Sequence, residues 1–203
     1  MSKLFCLFLF LINYLSIFSQ NVEINYNLLY TFDNGKKIIC SVSSQNSSIL
    51  LLDHLQLKQR FLYFNEYIST FSMNNNGEIN YKNLDFRLLN YNNKNSSIQL
   101  IETNETKVDD YNCTKYTIKV DCDRIYEIFI TKHEIDNTML IYFDIPTKIK
   151  SIFKPGLVVK VNSRNETDTN PKNLFNLEKI EEIKNNMTTI DTGEIKRKIS
   201  LKE

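Results

Sequence analysis

The chain has 203 residues and a formal net charge of +1, with 25 Lys and Arg against 24 Asp and Glu. A balance that close gives no electrostatic footing for nucleic acid or for an anionic membrane surface. There is no Ala and no Trp, only four Gly and three Pro, and an excess of Asn, Ile, Lys, Phe and Tyr. The scarce residues are those with GC-rich codons, so the Asn content reads as the mark of an AT-rich genome. A prion-like tract would need longer Asn runs than Asn74 to Asn76.

The N-terminus has the three parts of an export signal. Lys3 supplies the positive charge, Leu4 to Ile12 is an apolar run extended by Leu15, Ile17 and Phe18, and Ser19 places a small residue ahead of Gln20. Asn13 interrupts the run, which falls short of the about 20 apolar residues that a bilayer-spanning helix needs. Residues 1–19 are therefore read as a cleaved secretory signal. Cys6 lies inside the apolar run and so is not the acylated cysteine of a lipoprotein. Nothing later reads as a transmembrane segment. The expected organisation is one exported domain over 20–187, periplasmic or extracellular, followed by a loosely packed polar tail over 188–203.

Val22, Ile24, Tyr26, Leu28 and Tyr30 alternate with less buried positions, Asp33-Asn34-Gly35-Lys36 follows, and Lys37 to Val42 is again β-prone. Asn-Gly between two such runs predicts a tight hairpin. Arg60 to Met73, the turn Asn74 to Gly77 and the extended Glu78 to Leu89 suggest a second pair. Ser97 to Thr103 reads as a short strand. Tyr116, Ile118 and Val120 lead to a turn at Asp121-Cys122-Asp123, and Ile125 to Thr131 returns. Met139 to Ile145 reads as a strand stopped by Pro146. Gly156 to Asn162 is another, with Leu157, Val159 and Val161 on one face. Asn173 to Ile183 is ambiguous. Leu174, Leu177, Ile180 and Ile183 recur every three residues after Asn170-Pro171, which favours a helix, whereas Phe175 and Leu177 would share one face of a strand. The fold class that follows is mainly β, or α+β: a single domain on a curved antiparallel sheet with a C-terminal helix.

Chemistry is sparse. His54 follows a run of Leu and reads as structural. His133, Glu134 and Asp136 lie close together but lack a recognised metal spacing. The glycines are isolated, so no phosphate loop is present, and neither H-E-x-x-H nor G-x-S-x-G occurs. No catalytic residue, cofactor site or metal site is assigned, and no enzymatic activity is expected. Six sequons, at Asn46, Asn95, Asn104, Asn112, Asn165 and Asn186, exceed only slightly the about four that such a composition produces by chance. The exported chain would carry Cys40, Cys113 and Cys122. With a hairpin turning at Cys122, Cys113 lies far down its first strand, beyond the about 7 Å that a bridge allows. Cys40 with Cys113 is then the candidate disulfide.

Several segments together resemble the GLPGLI family of small exported proteins of Bacteroidetes. Pro155-Gly156-Leu157-Val158, within Phe153 to Val161, stands where the family has its C-terminal motif. Tyr111-Asn112-Cys113-Thr114-Lys115 is similar to its Y-x-C-x-K element, and Phe61 to Asn65 with Ser69 to Phe71 resembles its early strand. The chain departs from the family at Phe153-Lys154, where the motif has Gly-Leu, and in having no tryptophan. The motif makes sense as a turn, Pro155 and Gly156 reversing the chain before Leu157 enters the sheet. The resemblance implies a strand after the motif, against a helix at Asn173 to Ile183, and it implies no particular activity. The expectation is an exported, envelope-associated binding or interaction protein whose partner is an envelope protein or an apolar ligand. A half-barrel carrier of lipid and a hydrolase with a dispersed site are the alternatives.

Overall fold

The computed structural model describes residues 21–89, 97–121, 123–143, 152–184 and 188–201. The proposed signal, Cys122, Asn95 and Asn186 lie outside these residues.

Strand β1 (Asn21–Ile24) is separated from β2 (Tyr26–Phe32) by Asn25, so the first alternating run is two strands in two different sheets. The predicted hairpin joins β2 to β3 (Lys37–Val42). Gly35 takes φ +75°, its N–H donates to the Phe32 carbonyl at 2.9 Å, and the Phe32 N–H donates to the Lys36 carbonyl at 2.8 Å. Strand β4 (Ile49–His54) carries no alternating pattern to mark it in the sequence: Ile49-Leu50-Leu51-Leu52 is uniformly apolar because both of its faces are buried. Arg60 to Met73 is not one strand but a hairpin of β5 (Gln59–Phe64) and β6 (Tyr67–Thr70), with Asn65 at φ +53° in the turn. After the Gly77 turn comes a short 3-10 helix at Tyr81–Asn83 and the two-residue β7 (Arg87–Leu88), in place of the expected extended run.

Strand β8 (Ile98–Val108) is eleven residues long and pairs with β9 (Tyr111–Val120), which turns at Asp121 into β10 (Arg124–Thr131). Thr138–Phe143 is a 3-10 helix rather than the expected strand, and residues from 144 to 151 are outside the described set. The Asp136 carboxylate starts that turn by accepting from the Thr138 N–H (3.1 Å) and the Thr138 hydroxyl (2.8 Å). Strand β11 (Leu157–Asn165) follows.

The Asn173 to Ile183 segment is strand β12 (Lys172–Glu182), not a helix. Its three-residue spacing comes from register shifts. Leu177 faces Tyr30 but Lys179 faces Leu29, so one extra residue separates Leu177 from Ile180, and both still reach the same side of the sheet. A second shift lies between Phe175 and Asn173. The same device moves Val159. Ile130 pairs with Val158 and Phe129 with Lys160, so Val159 leaves the face of Leu157 and Val161 and packs with Cys113 and Phe129.

The expected loose tail is packed. β13 (Thr188–Asp191) pairs with β1, and the helix of the domain is α1 (Thr192–Ser200), further along the chain than expected. Asp191 caps α1 by accepting from the Glu194 N–H at 3.1 Å. The polar appearance of this stretch conceals a periodic face: Ile190, Ile195 and Ile199 are buried.

The result is mainly β: an open eleven-stranded antiparallel sheet in the order β7-β6-β5-β4-β3-β2-β12-β11-β10-β9-β8, plus the β1–β13 pair. One cluster unites Leu28, Leu50 and Tyr63 with Tyr116, Ile128 and Val161 from the other half of the sheet, which defines the concave face. On the convex face, Ile49, Leu51, Leu62 and Phe64 are covered by β1, β13, α1 and the 79–86 segment. No helix among the described residues is long and apolar enough to cross a membrane.

Candidate functional site

The concave face, where a half-barrel carrier would hold an apolar ligand, is occupied by the chain itself. Ile135, Met139, Leu140, Ile141 and Phe153 fill it, with Phe153 edge-on to Tyr116 at 5.1 Å. This insert is latched by polar groups. Asn137, fully buried, donates from Nδ2 to the Tyr30 hydroxyl (2.6 Å) and accepts at Oδ1 from the Val158 N–H (2.8 Å). Tyr30 in turn donates to the Val158 carbonyl at 2.6 Å.

Pro155 and Gly156 lead directly into β11, which begins at Leu157. Gly156 does not have positive φ. A Cβ there would lie 2.4 Å from the Thr131 carbonyl oxygen and 3.0 Å from Ile130 Cγ2. Glycine is needed for close backbone approach, not for an unusual dihedral. A groove of about 240 Å³ lies beside this turn, lined by Ser48, Asn65, Asp136, Met139, Phe153 and Pro155 among others.

Cys40 and Cys113 do not bridge; both are free and buried. Cys40 belongs to the concave core and Cys113 packs with Phe129 and Val159 on the opposite face, so the sheet separates them. Spacing along one hairpin could not reveal which face each thiol takes. Burial raises the Cys40 thiol well above its ordinary value and pushes Cys113 up to about 11. His54 stacks edge-on against Phe61, and burial lowers its pKa. His133, Glu134 and Asp136 each serve a separate structural bond. His133 Nδ1 accepts from the Ile135 N–H at 3.1 Å, Glu134 accepts from the Tyr26 hydroxyl at 2.7 Å, and Asp136 holds the Thr138 turn.

On the half of the convex face formed by β9 to β12, a polar row runs beside the apolar cluster of Cys113, Phe129 and Val159. Thr117, Glu127, Asn162 and Asn173 line up across four strands. Glu127 accepts from Lys115 Nζ (3.4 Å) and from Asn162 Nδ2 (3.3 Å). The side-chain oxygens of Thr117, Asn173 and Asn176 are buried without a hydrogen-bond partner among the described residues. A cleft of about 310 Å³ at the far end of β10 and β11 is lined by Arg124, Ser163, Arg164, Asp168 and Lys172. Its charges are answered locally: Lys172 pairs with Asp33 at 3.3 Å and Arg164 donates to the Asp168 carbonyl.

Among the described strands, the longest sheet edge is β8. Among the described residues it is the last strand of the sheet, bonded to β9 on one side only, and most of its residues are exposed, including Leu100 and Ile101. A long strand with one unpaired row of N–H and C=O groups is a template for another chain. The edge is only partly guarded. A bulge at Ile101 interrupts the ladder, because Leu100 pairs with Ile118 and Glu102 with Thr117, but Glu102 to Val108 then run in unbroken register. The opposite edge, β7, has two residues. The β-branched content of Ser97 to Thr103 marks only the first part of this strand. The missed signal was the continuing alternation of Thr106 and Val108 with charged residues up to the Asp109-Asp110 turn, where Asp109 has φ +50°. Comparison with protein-family models, with curated proteins and with solved structures finds no match to this chain.

Proposed function

We propose that this is an exported, envelope-associated interaction protein that engages an extended polypeptide segment along the β8 edge. The observation that carries the reading is that open edge: seven regular residues, Glu102 to Val108, whose outer backbone groups lack a strand partner among the described residues. Main-chain pairing would supply the affinity, and the Thr, Glu and Lys side chains of β8 would select the register. Support for export comes from the tripartite N-terminus, and the resemblance to the GLPGLI family points to the same compartment. The filled concave face favours this reading over a carrier of apolar ligand.

Two measurements on the natively expressed protein test it. Intact mass of the exported form is expected to place its first residue at or near Gln20; retention of Met1 to Ser19 overturns the export reading. A photo-crosslinking residue introduced at Asn104 or Thr106 is expected to give polypeptide adducts in intact cells. The same residue at Lys196, on the exposed side of α1, is the control. Equal yields at all three positions overturn the edge reading.

A further inference from the structure

We infer that the polypeptide best matched to the β8 edge is a second copy of β8, paired antiparallel about a two-fold axis at Thr106; this rests on the edge reading above. When identical strands pair antiparallel about a two-fold axis perpendicular to the sheet, one residue must face itself. Otherwise symmetry would equate a hydrogen-bonded pair with the non-hydrogen-bonded pair beside it. Each choice of axial residue therefore fixes every other pair, and the sequence can be tested against each.

An axis at Glu105 sets two carboxylates face to face, and an axis at Lys107 does the same with two ammonium groups. Like charges directly opposite are unfavourable. An axis at Thr103 or Asn104 carries the pairing into the bulge at Ile101 and leaves Lys107 opposite Gln99 or Ile101. An axis at Thr106 puts Glu105 opposite Lys107 twice, once on each side of the axis, with Thr106 facing Thr106 and Asn104 facing Val108. Glu105 and Lys107 share one face of β8, since they pair with Thr114 and Asn112 two residues apart on β9. Both are exposed. The Glu105 carboxylate accepts from the Thr114 hydroxyl at 2.9 Å, which orients it and leaves further lone pairs for an ammonium group. Past Val108 the chain turns at Asp109, so the pairing stays within Asn104 to Val108 and avoids the bulge altogether. Five residues a side make a weak, reversible dimer rather than an obligate one.

Sedimentation of the purified mature chain over a range of concentrations reads this directly. Wild type is expected to show reversible dimerisation. Glu105→Lys and Lys107→Glu should each weaken it about tenfold, and the double exchange Glu105→Lys with Lys107→Glu should restore it. Unchanged circular dichroism melting of these exposed-site variants shows that folding is intact. In a Cys113→Ala, Cys122→Ser background, which removes the free thiol directly opposite position 106 on β9, Thr106→Cys is expected to form a disulfide-linked dimer under mild oxidation, whereas Glu102→Cys is not. A chain that stays monomeric, or a dimer indifferent to both charge reversals, overturns the inference. If the purified chain is monomeric while cellular adducts at Asn104 and Thr106 persist, self-pairing fails and the edge reading stands. If those adducts are missing too, both fail.

Discussion

Asn137 and Tyr30 stand 107 residues apart in sequence and meet at 2.6 Å inside the concave core, where the carboxamide donates to the phenol. With the Val158 N–H and carbonyl they form a closed polar unit that ties the buried insert to β2 and β11. In a low-dielectric interior such a unit stabilises the fold only while every member is satisfied.

Asn137→Ala is therefore expected to destabilise the protein by about 2–3 kcal/mol, because the Val158 N–H is left buried and unpaired. Tyr30→Phe should cost about 1–2 kcal/mol: Asn137 Nδ2 and the Val158 carbonyl lose the phenol, while the Asn137–Val158 N–H bond survives. Urea titration of both variants checks the order; equal or reversed effects would remove Asn137 as the centre of the latch.

Gly156→Ala should cost at least about 2 kcal/mol, since the new Cβ meets backbone that cannot rotate away. Gly193→Ala, within α1, should stay within about 1 kcal/mol of wild type on the stabilising side, because alanine is the better helix former. Comparing the melting temperatures of the two variants decides this, and matching losses would discount the contact with Thr131.

Ile195→Ala is expected to lose about 2–5 kcal/mol. Ile195 is fully buried between α1 and the convex apolar cluster containing Val22, Ile49 and Leu62. Thermal denaturation of this variant separates a packed C-terminus from a loose one, which would tolerate the change.

Cys40 and Cys113 should resist thiol reagents in the native protein at neutral and mildly alkaline pH and react after unfolding. Both are inaccessible, and burial disfavours the thiolate in each. Peptide mapping after pulse alkylation reports each site separately. Rapid native labelling of Cys113 would show that its cluster opens.

What the sequence determined by itself was local. The β2–β3 and β9–β10 hairpins were legible because Asn34-Gly35 and the Asp121 turn act within a few residues, whereas the need for glycine at 156 comes from the Thr131 backbone. The mainly β class followed from the number of strand and turn signals. Tertiary structure decided the rest. Two register shifts gave β12 the spacing of a helix. Burial on both faces erased the alternation of β4. Ile135, Met139, Leu140 and Ile141 became part of a plug rather than a strand, packed into the concave core and held there by the bonds of Asn137 to Tyr30 and Val158. Cys40 and Cys113 could not be separated on paper because the face each takes depends on the sheet. The β8 edge was hidden for the same reason: a strand is an edge only by virtue of what fails to pair with it, and no residue in Ile98–Val108 encodes the absence of a neighbour.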